Sequence, residues 1–115
     1  MIAWLTAYVF TVAFEMPIVA YCMRRAFPDG RALVALTLAA SLITHPVLWF
    51  ATEQTGAMDL HLAVTELLIA LVEAALFFGS WRWCGEGTPS ATRCIGAAVL
   101  ANAFSVGLGH LLFSC

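Results

Sequence analysis

The sequence predicts an all-α integral membrane protein: a four-transmembrane-helix bundle with short loops and both termini extracytoplasmic. Three observations carry that prediction. The first is a set of four apolar segments, residues 2–23, 32–50, 60–81 and 94–113. Each is about 19–22 residues, enough to cross a hydrocarbon core about 30 Å thick. The second is composition. With 63% hydrophobic and 10% charged residues, the chain has too little polar surface to clothe a soluble domain. The third is the placement of the arginines. Arg24, Arg25 and Arg31 lie in or beside the first break, Arg82 and Arg93 in or beside the third, and lysine is absent. The second break holds Glu53, Asp59 and His61 but no arginine. The positive-inside rule therefore puts breaks one and three in the cytoplasm.

Backbone polar groups in lipid must be satisfied within the segment, so the four segments are helices rather than open strands. The first lacks a basic start and is too long for the apolar core of a cleaved signal peptide. Its polar line is Tyr8, Thr11 and Glu15, followed by Pro17. In the second segment the line is Thr37, Ser41 and His45, with Thr44 beside them and Pro46 after. The third carries Glu66 and Glu73, seven residues apart and so on one helix face. The fourth carries Asn102 and Ser105, continuing to Gly109, with His110 nearer the end. Its residues Ala97, Ala101, Ser105 and Gly109 form a small-residue ridge of the kind that permits close helix approach, expected inside the bundle. Trp4 and Trp49 fall at the outer interface, Trp81 and Trp83 at the inner one, as an aromatic belt requires.

Alternating helix direction turns these lines into two layers. An inner layer joins Glu15, Glu73 and Asn102. An outer layer joins His45 and Glu66, with Ser105 between. At 1.5 Å rise per residue, Glu66 and Glu73 are about 10 Å apart along the axis, a span suited to a relay through water or hydroxyls. A central acid costs roughly 2.5–3.5 kcal/mol on insertion scales. Three of them with no Arg or Lys nearby must be protonated, paired with His45, or holding a cation. The plainer alternative is neutral hydrogen-bond glue between helices. Pro17 and Pro46 remove the donors for the carbonyls of Ala13 and Leu42, and carbonyls freed beside ionisable residues could line a site.

His45 and Glu66 are the residue types that hold zinc and position a water nucleophile, but no H-E-x-x-H motif frames them. Cys84 and Cys94 are a second, weaker metal idea. Cys22, Cys84 and Cys94 fall on the cytoplasmic side, where thiols stay reduced, and Cys115 is alone at the outer end. A haem between His45 and His110 is disfavoured by their different depths. No cofactor is expected. With no basic patch, nucleic acid is not an expected partner.

In layout the chain resembles the small multidrug resistance transporters: about this length, four helices, and one glutamate, Glu15, in the first. The resemblance implies a dimer in which Glu15 exchanges protons for a cationic drug. The chain departs from that pattern at Glu66, Glu73 and His45, so the resemblance is one of architecture. The expected function is proton- or ion-linked transport or relay at Glu15, Glu73, Asn102, His45 and Glu66. Tyr8, Thr11, Thr37, Ser41, Thr44 and Ser105 form the secondary polar lining. The alternatives are an accessory or assembly subunit of a larger membrane complex and, behind it, a metal-dependent membrane enzyme using His45 and Glu66. The expected partners are the lipid bilayer and a second copy or larger membrane protein, in a bacterial inner membrane.

Overall fold

A computed structural model describes residues 2–55 and 60–113, apart from the side chains of Ile2, residues 51–55, Leu62, His110 and Phe113. Asp59 and Cys115, and the side chains of Glu53 and His110, lie outside the described part. Four helices make up the fold: α1 Ile2–Met23, α2 Gly30–Thr55, α3 Leu60–Cys84 and α4 Ala91–Phe113. All four are long and apolar enough to cross a membrane, and the described residues contain no strand. These features are compatible with a multi-pass membrane protein. The long dimension, 43 Å, matches a bilayer with its headgroup regions, about 40–45 Å.

α1 keeps the bounds of its apolar segment, whereas α2, α3 and α4 extend past theirs, and the caps explain two of the differences. Asp29 Oδ1 accepts the Arg31 N–H at 3.0 Å, so α2 starts at Gly30 rather than at the first apolar residue. Ser90 Oγ accepts the Arg93 N–H at 3.3 Å and starts α4 at Ala91. Both are favoured N-cap residues. At their C-terminal ends, α2 and α3 continue to Thr55 and Cys84. Hydropathy marks the apolar stretch, whereas backbone hydrogen bonding sets the helix end.

Neighbours in the chain pack side by side, and α4 closes the ring by packing on both α1 and α3. The diagonal pairs, α1 with α3 and α2 with α4, do not meet among the described residues. Large apolar side chains such as Leu42, Ile43, Leu67, Leu68 and Leu100 point outward. Glu15, Thr37, Ser41, Thr44, His45, Glu73 and Asn102 are buried. This pattern is the reverse of a soluble domain's and is the one expected when lipid is the solvent.

One end of the square is filled. Met23, Phe27, Leu33, Phe77, Trp81, Cys94, Ala97 and Ala98 form a close-packed plug at the end carrying the arginines. Connections 24–29 and 85–90 are tied across it. Glu86 N–H donates to Ala26 O at 2.7 Å, and the Trp81 indole N–H donates to Glu86 O at 2.7 Å. Gly85 sits so close to Trp81 that an added Cβ would run into its ring and its carbonyl oxygen, so a side chain there would push the two apart. Within the small-residue ridge of α4, Ala97 and Ala101 are buried in the bundle, each 1% exposed.

Candidate functional site

Above the plug the square opens into a cavity of about 650 Å³. Its lining runs from the middle of the helices toward the end remote from the arginines: Thr11, Phe14 and Glu15 of α1; Ser41, Thr44, His45 and Trp49 of α2; Glu66 and Glu73 of α3; Asn102, Ser105 and Gly109 of α4. The volume is within the usual range of ligand pockets, about 300–1,000 Å³. Among the described residues no arginine lines it.

The cavity gathers five residues expected at the site, Glu15, His45, Glu66, Glu73 and Asn102, together with Thr11, Ser41, Thr44 and Ser105. Tyr8 and Thr37 are not in its lining. Thr37 is buried, and its hydroxyl donates to Leu33 O one turn back, 2.9 Å away. Tyr8 donates to Leu38 O at 3.1 Å, which pins α1 to α2. Neither Ala13 nor Leu42, the residues whose carbonyls lose a donor to proline, lines the cavity. For Ala13, helix geometry accounts for this. Ala13 and Pro17 each lie two residues, or about 200°, from Glu15, on the far side of the helix.

Two carboxyl groups are held in different ways. Glu15, 3% exposed, accepts from Ser41 Oγ at its Oε2, 2.9 Å away. Glu73, equally buried, meets Thr44 Oγ1 with its Oε1 at 2.8 Å and accepts from Asn102 Nδ2 with its Oε2 at 2.6 Å. Asn102 thus engages Glu73, while Ser41, on a different helix, engages Glu15. Asn102 Nδ2 also donates to Ala98 O at 2.9 Å. A carbonyl oxygen only accepts, so the amide nitrogen must face it and the second N–H must face Glu73.

That orientation leaves Oε1 as the place for a proton on Glu73. Thr44 Oγ1 lies 2.8 Å from Glu73 Oε1 and 3.1 Å from Ala40 O, the carbonyl one turn back. A hydroxyl has one proton and can accept as well as donate. With Glu73 ionised, Thr44 donates to the carboxylate. With Glu73 protonated, the carboxyl donates to Thr44, and Thr44 turns its own proton to Ala40 O. Rotation of one hydroxyl therefore accommodates both states without moving a helix.

His45 is 6% exposed, and its Nε2 has no hydrogen-bond partner. Its ring packs at centroid distances of 5.9 Å from Trp4 and 5.6 Å from Tyr8, which stack on each other at 5.7 Å. The expected approach of His45 to Glu66 is thus a shared cavity wall, with Nε2 unpaired. Trp4 as a neighbour of His45 was not anticipated. The available signal was spacing, because Trp4, Tyr8, Thr11 and Glu15 fall on one face of α1.

Among the described residues no group of three His, Cys, Asp or Glu is placed to hold a metal ion. Cys84 is exposed, with its thiol donating to Ser80 O at 3.1 Å, whereas Cys94 is buried in the plug. Comparison with protein-family models, curated proteins and solved structures finds no match to this chain.

Proposed function

We propose that this chain is a small multi-pass protein of a bacterial inner membrane that relays or carries protons, or ions coupled to them, through the cavity at Glu15 and Glu73. The observation that carries the reading is the setting of Glu73. It is a buried carboxyl group held by neutral donors, in a network that accepts or releases a proton by turning the Thr44 hydroxyl. Glu15 and Glu66 share the cavity and supply further proton-holding groups. Intramembrane acids that face a cavity characteristically mark proton and ion paths.

The orientation belongs to the same proposal. Loops one and three face the cytoplasm, so the cavity runs from mid-membrane toward the outer side and both termini are outside. Support comes from the five arginines, all at one end of the bundle. A reporter active only in the cytoplasm, fused after Cys115, should be silent; strong signal would overturn the orientation.

The test of function is proton flux. Wild type reconstituted in vesicles with an internal pH-sensitive dye should dissipate an imposed pH gradient. Glu15→Gln and Glu73→Gln keep shape and hydrogen-bonding capacity but remove the titratable proton. Each should bring the flux to the level of empty vesicles. Full flux in both variants would reduce the acids to structural glue. No flux in wild type, with a stoichiometric partner retained on purification, would favour the accessory-subunit reading.

A further inference from the structure

The arginine end holds a second concavity, of about 290 Å³, between the last turn of α1 and the first turn of α4. Tyr21, Cys22, Arg24, Arg25 and Arg93 line it. Three guanidinium-bearing residues thus face one recess, and no carboxylate lines it. Asp29 is engaged as the cap of α2, and neither it nor Glu86, the acids of the two connections at this end, lines the recess. Two of the three guanidinium groups rest on aromatic rings. Arg24 lies 4.8 Å from the Tyr21 ring centroid and Arg93 lies 6.0 Å from that of Trp81. A ring face holds the planar group while leaving its N–H edge available.

We propose that this recess binds a phosphate group, presented by the headgroup of an anionic phospholipid. Arginine forks match phosphate oxygens two at a time, and basic recesses between helices at the cytoplasmic side are suited to such headgroups. The surroundings fit a lipid. Tyr21 is 69% exposed on the wall of the recess; an acyl chain descending from the recess would meet its ring. The backbone at the start of α4 is not the anchor, since Ser90 already caps the Arg93 amide. The guanidinium groups are therefore the recognition elements. This proposal does not rest on the proton-relay reading and survives its failure.

The test uses the full chain purified in detergent and supplied with phosphatidylglycerol, phosphatidylcholine or inorganic phosphate. Native mass spectrometry reads retained lipid, and a thermal unfolding midpoint reads stabilisation. Phosphatidylglycerol should be retained and should raise the midpoint; phosphatidylcholine should do neither. Arg25→Gln and Arg93→Gln should each weaken retention by about fivefold, the worth of one basic residue near an anionic surface. Arg93→Lys, which keeps the charge and loses the fork, should fall between. Arg82→Gln, at the same end but outside the recess, should bind like wild type. If inorganic phosphate alone stabilises the protein and displaces phosphatidylglycerol, the phosphate site stands and its source is soluble. Equal losses for Arg82→Gln and Arg93→Gln, or no preference for phosphatidylglycerol over phosphatidylcholine and no effect of phosphate, would overturn it.

Discussion

The two ends of this bundle are made from the same four helices and differ in what fills the space between them. At the arginine end Met23, Phe27, Phe77 and Trp81 reach inward and leave no gap. At the other end the inward positions go to Ser41, Thr44, Ser105 and Gly109 as well as the acids, and the square stays open. Both halves are apolar on the outside. Side-chain volume and polarity on the inner face, rather than mean hydropathy, separate a plug from a cavity. The closed half fixes the helices, and the open half then holds acids at defined separations without needing a packed core of its own.

The largest expected effect tests this contrast directly. Phe77→Ala removes a side chain that is 1% exposed in the plug. Loss of such a ring costs about 3–5 kcal/mol where neighbours cannot collapse into the gap. Phe14→Ala makes the same change in the cavity wall, where the ring is only half-buried, and should cost about 1 kcal/mol because no sealed void is created. Denaturation in mixed micelles would measure both. Equal losses would mean that the cavity end is packed as tightly as the plug.

A smaller effect sharpens the comparison from the polar side. Thr44→Val keeps the shape and removes the hydroxyl between Glu73 and Ala40 O. The stability cost should be about 1 kcal/mol, the net value of one hydrogen bond, while proton flux should fall well below wild type. Thr44→Ser restores the hydroxyl and should restore the flux. A flux unaffected by valine would remove Thr44 from the path and leave it a packing residue.

Much of the architecture was legible because lipid-length apolar runs and their charged breaks are coarse signals. The polar lines were legible too: Glu15, Ser41, Glu73 and Asn102 recur at helical spacing, and the structure brings their faces to one interior. What spacing could not resolve was partner choice. Depth alone placed Asn102 between two acids, and only the rotation of α4 relative to α3 assigns it to Glu73. Thr44 ranked as secondary lining because nothing local shows that its hydroxyl faces a carboxyl group 29 residues away. His45 drew attention to Glu66, but the rings of Trp4 and Tyr8 occupy its flank. The arginine recess was equally hidden. Arg25 and Arg93 are distant in sequence and meet because α1 and α4, the first and last helices, are neighbours.

That same adjacency orders events during synthesis. The chain emerges from its N-terminus, so α1 must wait for the last helix before its second flank is covered. Glu73 emerges with Thr44 already made, but its other partner, Asn102, is still to come. Without α4, the Oε2 of Glu73 lacks the donor that Asn102 supplies. Ring closure and completion of the Glu73 network are therefore the same event, and a chain halted before α4 lacks both.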